Sequence, residues 1–212
     1  MFGAVAVTAL ASYITMATPL WTMLFTQTGL SALYYILLFG GLALAIWAQV
    51  RAFSFKPSTG GLMLFLYAIL TGIVMTPLLL VAITSNPYTI LSAFVIAAVM
   101  FACMALFGYK TVKDLSFLGI FLFMGMIGLI LVGLFYFIWP AIVGGTFGTI
   151  VCFIGVLVFA LFTAYDMQNL KRAYAVMGDG TQKNQLAVLG ALHLYISFIA
   201  MFQYLLSLLN RN

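Results

Sequence analysis

Residues 115–139 read LSFLGIFLFMGMIGLILVGLFYFIW, from Leu115 to Trp139, without one charged side chain. A helix needs about 20 mainly apolar residues to cross the hydrocarbon of a bilayer. The run is continuous rather than alternating, and it far exceeds the length of about 10 residues used by a transmembrane strand. Backbone groups in lipid must be satisfied within their own segment, so the run predicts a spanning helix. Six more stretches share its character. They are Phe2 to Leu20, Leu30 to Val50, Leu62 to Thr84, Thr89 to Tyr109, Phe147 to Leu170, and Leu186 to Leu209. The expected fold is an all-α integral membrane protein, with seven transmembrane helices in one domain over residues 1–212.

Composition points the same way. Hydrophobic residues make up 66% of the chain and charged residues 5%, where a soluble domain carries about a quarter charged. That excludes a cytosolic enzyme, a secreted disulfide scaffold and a disordered regulator. The net charge of +5 is too scattered for a phosphate-tracking stripe, so no nucleic acid partner is expected. Cys103 and Cys152 lie inside apolar runs and read as small fillers. The single His193 cannot complete a zinc site with cysteines so placed. No phosphate-binding loop, nucleophile elbow or HExxH is present, and nothing suggests an enzyme.

The breaks between spans carry turn chemistry. Lys56-Pro57-Ser58-Thr59-Gly60-Gly61 reads as a loop, and Ser85-Asn86-Pro87-Tyr88 as a tight turn. The widest polar stretch, Lys171 to Gln185, reads as the longest loop. Pro77 falls inside the third span and is expected to kink it. Basic residues fall on alternate loops. Arg51 and Lys56, then Lys110 and Lys113, then Lys171, Arg172 and Lys183 share one side, and Arg211 alone lies elsewhere. By the positive-inside rule that side is the cytoplasm, with the N-terminus inside and the C-terminus outside. Phe2 opens the first span almost at residue 1, with no basic lead-in of the kind a cleaved signal needs.

An ionisable group at membrane depth is a functional candidate. The chain contains no glutamate, and its acids are Asp114, Asp166 and Asp179. Asp166 lies five residues before Lys171, about 7.5 Å along the helix at 1.5 Å per residue. Two readings are open: a carboxylate paired near the interface with Arg51, Lys110 or Lys171, or one facing the bundle as a cation ligand or proton-sensitive latch. His193 lies seven residues beyond Leu186, about 10 Å into the last helix, with Ser197 one turn further on its face. It reads either as a backbone-bonded interfacial histidine or as a partner for Asp166 whose charge changes near neutral pH. Tyr165, Tyr195 and Gln203 could line a path. Gly119, Gly125, Gly128 and Gly133 read as sites of close helix packing.

Three segments together resemble one family. They are YKTVKDLSFLG (Tyr109 to Gly119), LFTAYDMQNLK (Leu161 to Lys171) and LGALHLYISFI (Leu189 to Ile199). They are similar to the Bax inhibitor-1 family, the transmembrane Bax inhibitor motif family, and to its bacterial branch in particular. The resemblance implies seven transmembrane helices, six surrounding a central C-terminal helix. It implies a pH-modulated calcium leak channel without a cofactor, calcium being the permeating ion. It also implies a bacterial cytoplasmic membrane as location. In the family, two aspartates of the last two helices share a proton and hold the pore shut. Asp166 matches the first of them. The family's LYLDFIN reads LYISFIA here, so Ser197 takes the position of the second aspartate and Ala200 that of the asparagine. A serine does not titrate, so the two-carboxylate latch cannot exist in its usual form. The remaining expectations are a weak, transient calcium contact at Asp166, a switch formed by Asp166 with His193, and Arg51 as an alternative counter-ion. The competing expectation is a membrane regulator without transport, binding a membrane protease or other membrane proteins in stress or cell-death control.

Overall fold

The computed structural model describes residues 1–26, 29–50, 57–138, 145–178 and 180–211. In chain order the elements are α1 (Phe2–Ala17), α2 (Leu20–Met23), a small antiparallel hairpin of β1 (Phe25–Thr26) and β2 (Gly29–Leu30), α3 (Ala32–Val50), α4 (Pro57–Ser85), α5 (Tyr88–Lys110), α6 (Ser116–Ile138), α7 (Gly145–Val176) and α8 (Gly180–Leu209). Six of these, α3 to α8, are long and apolar enough to cross a membrane. α1 is apolar but has 16 residues, about 24 Å at 1.5 Å per residue, short of a hydrocarbon core of about 30 Å.

Two expected loops turn out helical. Pro57 to Gly61 form the first turns of α4. Proline is tolerated at the first helical position, where its missing N–H has no acceptor to lose. Gly60 serves packing there: a Cβ on it would stand 3.0 Å from Val188 of α8. The polar stretch from Lys171 to Gln185 is also mostly helix, because α7 continues to Val176 and α8 begins at Gly180. Its polarity marks helix ends that leave the hydrocarbon, not a break in backbone hydrogen bonding. The turn at Asn86-Pro87 is present, with the Asn86 Oδ1 accepting from the Tyr88 N–H at 3.0 Å. Pro77 lies within α4, which continues through it.

The chain divides into two compact units. The first comprises Met1–Thr84 and Ala173–Tyr195, and the second Ser85–Arg172 and Ile196–Asn212. In the first, the buried residues of α1 are Ala4, Thr8, Ser12 and Thr15. This face is polar and small, the reverse of a soluble amphipathic helix. Thr8 Oγ1 lies 3.2 Å from the Ala68 carbonyl and 2.6 Å from the Tyr195 hydroxyl, and Ser12 Oγ donates to the Gly72 carbonyl at 2.8 Å. Gly72 permits that approach, since a Cβ there would stand 2.6 Å from the Thr8 carbonyl oxygen. Without a hydrophobic drive between helices in lipid, close packing and interhelical hydrogen bonds hold them together.

The second unit has an apolar core. Leu122 and Leu129 of α6 meet Val158 of α7, with Phe159, Tyr165 and Tyr204 packed around them. Phe198 of α8 stands edge-on to Phe94 and Phe101 of α5. α5 and α7 touch backbone to backbone, because a Cβ on Gly108 would run into Ala164. Of the four α6 glycines, Gly119 faces the Tyr165 hydroxyl and Gly125 faces Val158, as packing sites should. Gly128 and Gly133 have nothing within 4 Å of a built Cβ and so are not packing sites among the described residues. Cys152 is buried as expected of a filler, whereas Cys103 is exposed.

Candidate functional site

The cytoplasm-predicted end of the second unit gathers most of its polar chemistry. Thr163, fully buried, returns its hydroxyl to the Phe159 carbonyl at 2.9 Å, a common way to satisfy a threonine inside a helix. One turn further along α7, partly buried Asp166 has the Ser197 hydroxyl of α8 as a hydrogen-bond partner. Ser197 is itself buried. The two residues singled out from AYDMQNLK and LYISFIA are therefore brought together inside one unit. His193 lies one turn before Ser197 on α8, is partly buried, and belongs to the first unit. Arg51 lies outside the described residues.

The basic residues of α7 turn elsewhere. Lys171 Nζ donates to the Tyr109 carbonyl at 2.8 Å and sits 4.8 Å from the centre of the Tyr109 ring. It therefore satisfies the end of α5, where carbonyls lack helical donors. Arg172 Nη1 pairs with Asp114 Oδ1 at 2.6 Å. Asp114 also accepts from the Ser116 hydroxyl at 2.7 Å and the Ser116 N–H at 3.0 Å, opening α6 in the manner of a helix cap. The Ser116 hydroxyl above all, then the Arg172 guanidinium and the Ser116 N–H, hold the Asp114 carboxyl down at about 2.

Gln168 is the residue that sequence reasoning undervalued. It is buried, and both ends of its amide are used. Oε1 accepts from the Leu115 N–H at 2.9 Å, and Nε2 donates to the Lys113 carbonyl at 2.8 Å. It thereby clasps the short connection between α5 and α6. The available signal was its position two residues after Asp166, on a helix whose other face had to meet the KDLS turn. The Tyr195 hydroxyl, expected to line a path, instead meets Thr8 in the first unit, and Tyr195 is fully buried. Tyr165 packs on Gly119.

Six membrane-capable helices, a carboxylate within one of them and a polar turn at its end define a polytopic helical membrane protein. The family described as "Inhibitor of apoptosis-promoting Bax1" matches over residues 1–212, and the chain belongs to this Bax inhibitor family. It is 36% identical over 167 residues to the inner membrane protein YbhL of Escherichia coli strain K12, covering 78% of this chain and 68% of that one. It is 35% identical over 187 residues to an uncharacterised protein of Caulobacter vibrioides, covering 87% of this chain and 72% of that one. A protein of Borreliella burgdorferi is 29% identical over 207 residues, covering 97% and 86%. The chain is an integral membrane protein.

Proposed function

We propose that this protein is a passive cation leak in which calcium permeates past Asp166 and protonation of that carboxylate sets the flux. The observation that carries the reading is the meeting of Asp166 with Ser197 in the interior of the second unit. A carboxylate within a membrane span that faces a neighbouring helix is a functional group by cost alone. Asp166, Ser197 and backbone carbonyls are oxygen donors of the type a calcium ion accepts. They fall short of six to eight ligands, as suits passage rather than storage. Ionised, Asp166 attracts cations; neutral, it does not, so flux rises with pH. In this reading seven apolar helices span the membrane, the shorter α1 and α3 to α7 surrounding α8, with the N-terminus cytoplasmic, and no cofactor is required. Half of the apolar window of α8 is buried, against 11% for α6, which supports a central α8. In this reading His193 on α8 tunes the response, with Arg51 as the alternative counter-ion.

Calcium uptake into proteoliposomes across a pH series tests this. Asp166→Asn should abolish the pH-dependent part of the flux. His193→Ala should flatten the profile, and an unchanged profile would remove His193 from the mechanism. Ser197→Asp should steepen the profile, since two adjacent carboxylates share a proton. Flux unaltered by Asp166→Asn would sink the leak.

A second reading rests on Ser197 standing where the family resemblance places an acid. Without the second carboxylate the chain acts as a regulator that binds a membrane protease or another membrane protein. Co-purification of such a partner, with no flux in the same preparation, would favour it.

A further inference from the structure

We infer that the corner formed by the end of α5, the start of α6 and the last turns of α7 is a binding site for the phosphate headgroup of an anionic phospholipid. The first observation is its place. α5 ends as a membrane-capable span at Lys110 and α6 begins one at Ser116. The intervening residues 111–115 are too few to carry the chain away from the bilayer, because each residue reaches at most about 3.6 Å. This turn is thus held at headgroup level.

The second observation is charge. Lys110, Lys113, Lys171 and Arg172 are all exposed there, and Asp114 is the acid among them. Four cations against one carboxylate leave a net +3 on a single turn and one helix end. The carboxylate is already engaged with Arg172 at 2.6 Å. That leaves the Lys110 and Lys113 ammoniums for an outside anion, with the Lys171 charge beside them. Lys171 is fixed 2.8 Å from the carbonyl of Tyr109, the residue immediately before Lys110. Lys110 and Lys113 thus lie on the turn to which the Lys171 amine is tied.

The third observation is that the corner is built and amphipathic. Gln168 holds the backbone of Lys113 and Leu115 from both sides, so the loop presents its lysines from a fixed frame. Between Lys110 and Lys113, Val112 is 97% exposed, and Phe117 at the start of α6 is 72% exposed. Apolar side chains so placed are costly in water and at home against glycerol and acyl carbons. An anion on acyl chains satisfies both kinds of group at once, whereas a water-borne phosphate satisfies the lysines and leaves Val112 and Phe117 wet. A juxtamembrane lysine contributes to anionic-lipid binding in an additive way.

The test uses the full chain in detergent micelles, titrated with short-chain phosphatidylglycerol, with bound lipid counted by native mass spectrometry. Lys110→Gln and Lys113→Gln should each weaken binding about fivefold, and the pair about 25-fold. Asp114→Asn frees the Arg172 guanidinium and should tighten binding by up to about fivefold. Lys183→Gln, on α8 and over the Tyr174 ring, should change nothing. Phosphatidylcholine of the same chain length and free glycerol phosphate should bind far more weakly. Equal losses from Lys110→Gln and Lys183→Gln would mean diffuse surface attraction and overturn the site. Equal binding of free glycerol phosphate would mean a water-borne anion and overturn the lipid assignment, as would equal binding of the neutral lipid.

Discussion

The two units solve the problem of helix association in lipid with different chemistry. In the first, α1 turns Thr8, Ser12 and Thr15 inward and joins its hydroxyls to carbonyls of its own helix and of α4, and to Tyr195. Every group in that seam is neutral, and most of its donors are spent on carbonyls. In the second, leucines, valines and aromatic rings form the core, while a carboxylate, an amide and an ion pair occupy one end. Both described carboxylates, Asp114 and Asp166, belong to the second unit. Hydroxyl seams fasten helices without attracting ions, whereas the second unit carries charge at one end.

Each unit also depends on one glycine at its tightest crossing, and the largest effects are expected there. Gly108→Ala drives a Cβ into the Ala164 backbone and should cost about 3 kcal/mol of stability, with Gly72→Ala costing about 2 kcal/mol. Unfolding in micelles measures both. Gly128→Ala has open space around it and should gain up to about 1 kcal/mol from helix propensity. A loss at Gly128 as large as at Gly108 would break the distinction between crossing and lipid-side glycines.

Gln168→Ala should come next. It leaves the buried Leu115 N–H without its acceptor, at a cost of about 2 kcal/mol. Gln168→Glu keeps that acceptor but has no donor for the Lys113 carbonyl, so roughly half the cost should remain. If the two variants behave alike, the clasp works through one bond and not two.

Tyr195→Phe should cost less, about 0.6 kcal/mol, the usual scale of a hydrogen bond between membrane helices. A double-mutant cycle with Thr8→Val isolates it. Coupling near zero would show that the first unit is held by the Gly72 crossing alone.

The smallest effect concerns Asp114, whose carboxyl is exposed. Its value is lowered in the folded chain from the usual 3.8 to about 2. A depressed carboxylate stabilises above its unfolded value and loses that contribution as pH falls through the folded one. Stability should therefore decline slightly from about pH 4 to about pH 2, and Asp114→Asn should remove that decline. A decline of the same size in Asp114→Asn would assign it to another group.

Composition and run length alone determined the membrane setting and the helical class, because lipid offers the backbone no partner outside a helix. The apolar run also marked Asp166, since a carboxylate stands out in it, while Ser197 was marked by the resemblance of the LYISFIA segment to the family. Helix ends were less legible. Lys171 to Gln185 is polar yet mostly helical, as polarity reports contact with water and not the loss of backbone hydrogen bonds. Only the tertiary structure decided that Gln168 reaches back to residues 113 and 115, that Lys171 turns to Tyr109, and which α6 glycines meet a neighbouring helix. These depend on how far each helix is rotated about its axis. In an almost uniformly apolar sequence no polar face reports that rotation, and only packing against other helices sets it.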